Sequence, residues 1–160
     1  MNIRRLAPAF LGTCLCLILI SCTDKNDFEA HQTLKNETWD MNAPITFTFV
    51  ITDTSAPYQL GMHFRYTDDF PWQDIFLFLK TTLPDGRLSR DTLHCILFGP
   101  DGKPLGKGHR VKELEIGYSL LKFPMSGRYT LSFIQGMREE KVRGIASFGM
   151  SLKKTESATQ

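Results

Sequence analysis

The chain has 160 residues, 42% hydrophobic and 22% charged, with 19 Lys+Arg against 17 Asp+Glu and a formal net charge of +2. Both basic residues of the first 21 positions, Arg4 and Arg5, lie in a segment without acids, so the remainder is electrically balanced and offers no general electrostatic case for nucleic acid or anionic lipid. Three of the 4 cysteines (Cys14, Cys16, Cys22) fall within that leader or at its end, leaving Cys95 alone, which excludes a domain stapled by internal disulfides.

Arg4 and Arg5 precede a mostly apolar run from Leu6 to Ile20, a basic n-region followed by an h-region. The run is shorter than the roughly 20 residues a spanning helix needs. It ends at Leu19-Ile20-Ser21-Cys22 and turns polar at once with Thr23-Asp24-Lys25. That tetrapeptide resembles the lipobox of bacterial lipoproteins. The resemblance implies that residues 1–21 are an export signal, that the chain is cut after Ser21, and that Cys22 carries lipid. Two or three acyl chains make desorption negligible, since each buried methylene contributes about 0.8 kcal/mol. The partner implied first is therefore a membrane, reached through the lipid anchor.

Residues 22–44 are polar with isolated Phe28 and Trp39 and show no sustained period, which reads as a lipidated amino terminus and tether reaching roughly 70 Å at full extension, its distal part docked through Trp39. From Ile45 the period becomes 2: Ile45, Phe47, Phe49 and Ile51 share a face, and so do Tyr58, Leu60, Met62, Phe64 and Tyr66. Ile75 to Thr82 is a nearly continuous apolar run, which predicts a strand covered on both faces. Pro84-Asp85-Gly86 and Pro100-Asp101-Gly102 are turns flanking a strand from about Asp91 to Phe98, and both predict antiparallel neighbours. Lys103 to Lys112 reads as a glycine-rich basic loop, Glu113 to Phe123 fits a strand or a short helix, and Tyr129 to Ile134 alternates. Met137 to Val142 reads as a loop or helical turn, and Ala146 to Leu152 is the last strand. The expected architecture is all-β, an antiparallel β-sandwich of jelly-roll or immunoglobulin-like connection, a single domain over residues 45–153 followed by a polar tail at 154–160.

Chemistry-bearing patterns are sparse. Gly102 to Gly108 departs from a phosphate loop in spacing and has Gly108 where Ser or Thr would bind magnesium. His31, His63, His94 and His109 are far apart and match no metal-ligand spacing. Ser119 lacks the second glycine of a nucleophile elbow. Asp68-Asp69 and Glu139-Glu140 are adjacent carboxylates that diverge on extended chain, and Cys95 alternates with Leu93 and Leu97 as a buried, inert thiol. The expectation is no catalytic residue, no metal and no cofactor.

The runs Phe64-Arg65-Tyr66-Thr67-Asp68-Asp69-Phe70-Pro71 and Ile75-Phe76-Leu77-Phe78-Leu79 come with Thr81-Thr82-Leu83-Pro84-Asp85-Gly86 and Arg90-Asp91-Thr92-Leu93. Pro100-Asp101-Gly102, Gly106-Lys107-Gly108, Tyr129-Thr130-Leu131 and Gln135-Gly136-Met137-Arg138 follow. Together with the lipobox and Trp39 they resemble the GldH-type gliding motility lipoproteins of Bacteroidota. The resemblance implies a non-enzymatic accessory lipoprotein of the cell envelope, working with protein partners of the gliding machinery and its associated secretion apparatus. It supplies no catalytic residues. No run of acids follows Cys22, as surface-export signals of that phylum often show, which favours a domain facing the periplasm; the anchor itself is expected in the outer membrane. The alternative from the residues is a carbohydrate- or polymer-binding module using Trp39, Trp72 and Tyr118. If the domain is an interaction module, its contacts are expected on the loops at Asp68–Asp74 and Lys103–Lys112, with Phe70, Trp72, Lys107 and Arg110 as candidates.

Overall fold

A computed structural model describes residues 27–155; the expected signal segment, Cys22 as the expected lipid site and all but the first two positions of the expected polar tail lie outside them. Among the described residues ten strands form: β1 Phe28–Thr33, β2 Thr38–Asp40, β3 Ile45–Ile51, β4 Tyr58–Thr67, β5 Asp74–Thr82, β6 Leu88–Ile96, β7 Val111–Leu121, β8 Gly127–Gln135, β9 Lys141–Arg143 and β10 Ile145–Lys154, with one 3-10 turn at Lys35–Glu37. Two four-stranded antiparallel sheets, in the orders β1-β10-β4-β7 and β3-β8-β5-β6, face each other, and β2-β9 is a small third ladder.

The pairing is nested. β5 pairs with β6, β4 with β7, β3 with β8, β2 with β9 and β1 with β10, as if one long hairpin had been rolled up. This is the jelly-roll connection, which settles the choice the periodicity leaves open. Alternation explains which side of each strand turns inward. Along β3 the residues alternate buried and exposed throughout, and along β8 Tyr129, Leu131, Phe133 and Gln135 are buried. The core centres on Phe148 of β10, whose ring lies 4.9 Å from Phe133, 5.0 Å from Phe64 and 5.1 Å from Trp39. Each such side chain, fully buried, contributes roughly 1.5–3 kcal/mol relative to exposure.

Four expectations are corrected. The domain begins at Phe28, not Ile45: β1 pairs residue for residue with β10 from Phe28↔Leu152 to Thr33↔Ser147, so most of the expected tether is folded. Only Phe28 and Ala30 pack inward from this edge strand, too few to print a period, whereas the expected docking of Trp39 is met by complete burial. Second, β5 is covered on one face only, with Phe76 and Phe78 on the open side. Third, Pro84-Asp85-Gly86 does close the β5–β6 hairpin, but after Pro100-Asp101-Gly102 the chain crosses to the other sheet, where β7 pairs with β4. Fourth, the stretch expected as loop or helical turn supplies β9. Residues 113–121, for which strand and helix were both open, belong to β7.

Candidate functional site

The nested pairing gathers four connections at one end of the sandwich: residues 68–73, 97–110, 136–140 and the turn at Gly144. The first is pinned by Gly144, whose carbonyl accepts from Thr67 N at 2.8 Å and whose φ of 85° brings its backbone under Phe70. A Cβ there would stand 2.2 Å from Phe70 N, so only glycine fits. The second is pinned by Tyr66: its hydroxyl donates to Leu97 O at 2.6 Å and accepts from Gly106 N at 2.9 Å. Burial raises this phenol above its ordinary value while the Gly106 amide offsets part of the rise. The two connections are joined by Leu97 N and Phe98 N, both donating to Gln73 O at 2.9 and 3.0 Å.

Between them lies an open trench of about 560 Å³, floored and walled by Phe70, Pro71, Trp72, Phe98, Pro100 and Pro104. Phe70 stacks parallel to Phe98 at 6.3 Å and meets Trp72 edge-on at 5.6 Å, while Tyr66 braces Phe98 at 5.3 Å. Asp68 stands at the rim, 3.6 Å from Lys112 Nζ, and Lys112 also donates to His109 O. The loops at Asp68–Asp74 and Lys103–Lys112 share an end and are joined by this one ion pair, while Lys103 pairs with Asp101, Arg110 with Glu37 and Asp74 with His94.

Of the candidate contacts, Trp72 lines the trench half-buried. Phe70 does too, but it is a buried member of the core, and its ring is the base on which Trp72 rests. Lys107 and Arg110 are not brought to the trench: Lys107 forms a two-bond bridge with Glu113 through its backbone, and Arg110 donates to Glu37 of the 3-10 turn at 2.8 Å. Glu37 holds the guanidinium above its ordinary value. Lys112, expected at the end of the glycine-rich basic loop, is instead a buried residue of β7. Sequence reading missed Phe98, Pro100 and Pro104 as trench walls; the two prolines astride Asp101-Gly102 were the available signal.

Elsewhere, Trp39 cannot serve as a sugar platform, being fully buried; the side chain of Tyr118 lies outside those described. His63 is half-buried and accepts or donates with Ser151 at 2.8 Å, its ring 5.4 Å from His31, and burial lowers its pKa. His94 is exposed beside Asp74 at 2.5 Å. Among the described residues no group of three or more His, Cys, Asp or Glu is disposed to hold a metal ion, and no helix is long and apolar enough to cross a membrane. Cys95 is buried, and desolvation pushes its thiol up to about 12.

A family model described as GldH lipoprotein matches residues 26–152. The Christiangramia forsetii protein named gliding motility lipoprotein GldH homolog is 25% identical over 163 residues, covering 96% of this chain and 99% of its own. The Flavobacterium johnsoniae protein named gliding motility lipoprotein GldH is 26% identical over 149 residues, covering 88% of this chain and 92% of its own. Among solved structures, an uncharacterized Listeria monocytogenes protein in complex with glucose, magnesium and calcium overlays with a TM-score of 0.31 at 16% identity, across 68% of this chain and 8% of its own, too slight to carry an argument. The family match spans the sandwich from just before β1 into β10, and the chain therefore belongs to the GldH lipoprotein family, a membrane-associated family implicated in gliding motility.

Proposed function

We propose that this chain is a lipid-anchored, non-enzymatic accessory protein of the gliding machinery and its associated secretion apparatus, held at the outer membrane by lipid on Cys22 with its domain in the periplasm, and that it engages an envelope protein through the Trp72 trench. The observation that carries the reading is the match of the family across the folded domain. The chemistry of the trench supports it. Its described walls are aromatic rings, prolines, glycines and Gln73, and Asp68 is their one titratable side chain, already paired with Lys112. A lone paired carboxylate has no second group with which to divide acid and base work, whereas an aromatic-proline trench suits an extended or aromatic segment of a partner.

Deleting the gene tests the machine assignment. Loss of gliding, or in a non-gliding source of secretion through the associated apparatus, is expected; both unimpaired would overturn it. Trp72→Ala tests the trench. Removing an aromatic anchor costs about 2 kcal/mol or more at an interface, a factor of about 30 in affinity, while an exposed rim charge such as Lys107 contributes little. Capture of the partner should fall with Trp72→Ala and stay within a few fold with Lys107→Ala. Equal capture by both variants, each with an unchanged melt, would remove the trench from the contact.

A further inference from the structure

Large hydrophobic side chains left exposed are not scattered over this domain. Among the described residues, Val50 (62% exposed), Phe76 (38%), Phe78 (50%), Leu88 (52%) and Ile96 (47%) all stand on the outer face of the β3-β8-β5-β6 sheet, and only Leu105 and Leu120 lie elsewhere. Strand parity places them there. Ile51, Leu77, Leu79, Leu93 and Cys95 point into the core, so their neighbours point out. Phe78 lies over the backbone of Gly136, where a Cβ would come within 3.0 Å of its ring, and Phe76 stacks flat on His94 at 4.5 Å.

The same face carries Lys80, Arg90 and Arg128. Lys80 and Arg90 are directly opposed in the β5–β6 register, and Arg128 opposes Val50 across β3–β8. Like charges facing each other across a ladder destabilise it. Yet among the described residues none of the three meets a carboxylate, and the one acid on this face, Asp74, is taken by His94. The outer face of the other sheet is built differently, with Glu29 paired to His31, Glu113 to Arg65 and Ser151 to His63. A chain whose charges nearly cancel has thus segregated apolar and unpaired cationic side chains onto one sheet.

Chain length says what this face meets. Asp27, immediately before β1, is five peptide units from Cys22, a leash of at most about 18 Å. β1 lies over β3, with Phe28 and Phe49 rings 5.4 Å apart, so the leash leaves beside the β3 edge of the apolar-cationic face. It needs to descend only the roughly 10 Å between sheets to bring Cys22 level with that face. A domain held so short cannot stand clear of the surface its lipid enters.

We propose that the outer face of the β3-β8-β5-β6 sheet is a membrane-seating surface, resting on the anionic headgroups of the bilayer that holds the Cys22 lipid, with Val50, Phe78 and Leu88 entering the interface and Lys80, Arg90 and Arg128 meeting phosphates. This rests on the lipid-anchor reading. Exposed aromatic and aliphatic side chains interleaved with cations are what an interface of that polarity accommodates. The trench lies at the opposite end of the strands from the leash and stays open to a protein partner.

The test uses the full chain, processed and purified in detergent, then reconstituted into phosphatidylethanolamine–phosphatidylglycerol vesicles containing doxyl-labelled lipid. An environment-sensitive dye is placed through Val50→Cys, Phe78→Cys or Glu115→Cys, the buried Cys95 being unreactive in the folded domain. Quenching is expected at positions 50 and 78 and not at 115. Neutralising the cations as Lys80→Gln, Arg90→Gln and Arg128→Gln should lower the ratio of seated to unseated molecules by a factor of about five per charge. The intact mass of the same preparation shows whether Cys22 bears lipid. Lipidated protein with unquenched dye at 50 and 78 overturns the seating surface and leaves that face to a protein partner. Quenched dye on unlipidated protein overturns the anchor reading and upholds the surface; unlipidated and unquenched protein overturns both.

Discussion

Trp39 is the residue at which folding of the former tether can be tested most sharply. Its side chain is fully buried, its strand β2 is only three residues long, and its ring packs 5.1 Å from Phe148 at the centre of the core. Its partner across β2–β9, Val142, is equally buried. Truncating a buried aromatic to alanine removes its transfer energy and leaves a cavity, about 3–5 kcal/mol in all. At roughly 3–5 °C per kcal/mol for a domain of this size, Trp39→Ala should melt about 10–20 °C lower. Trp39→Phe separates packing from polarity. The indole Nε1–H is buried and meets no acceptor among the described side chains and backbone, and an unsatisfied buried donor costs about 1–3 kcal/mol. Phenylalanine gives up part of the ring contact but removes that donor, so the variant should lie within about 1 kcal/mol of the parent. Urea unfolding of the signal-free chain with Cys22→Ser, followed by circular dichroism and by a second probe to check two-state behaviour, measures both. A loss below about 1 kcal/mol for Trp39→Ala would refute the burial argument. A Trp39→Phe variant as damaged as the alanine would show that the indole N–H is bonded.

Gly144→Ala should cost about 3 kcal/mol or more, since it combines a φ of 85° with a Cβ pressed on Phe70 N, and it should also shift the tryptophan emission as the Trp72 loop moves; an unchanged melt would discount the pinning role. Asp53 is held well below the usual carboxylate range by hydrogen bonds from Lys154 and Ser55. A depressed folded pKa contributes stability above the unfolded value of about 3.9 that is lost as pH falls below it, so the stability gap between parent and Asp53→Asn should be present at neutral pH and close progressively in acid; a gap that widens in acid would reverse the sign. Cys95, its thiol pushed up to about 12 by burial, should resist a thiol reagent in the folded protein and react at a rate set by global unfolding; rapid labelling of native protein would place it outside the core.

Much of the fold is written locally. Ile45 to Ile51, Tyr58 to Tyr66, Tyr129 to Phe133 and Phe148 to Leu152 carry their own record of which side faces the core, because side chains alternate along any extended chain whatever it pairs with. The Pro84-Asp85-Gly86 turn and the inert thiol at Cys95 are legible for the same reason: each depends on backbone preference or strand parity within a few residues. What tertiary structure alone decided is who covers whom. β1 is a strand only because β10, over a hundred residues later, offers it an edge, and β5 is open on one face because no layer is laid over its sheet. The trench exists because nested pairing carries residues 68–73 and 97–104 to the same end of the roll, where Tyr66 and Gly144 lock them together. The sheet face bearing Phe78, Lys80 and Arg90 arises likewise, since a period of 2 tells which residues share a side of a strand, while the presence of a second layer over that side depends on pairings between residues far apart in the chain.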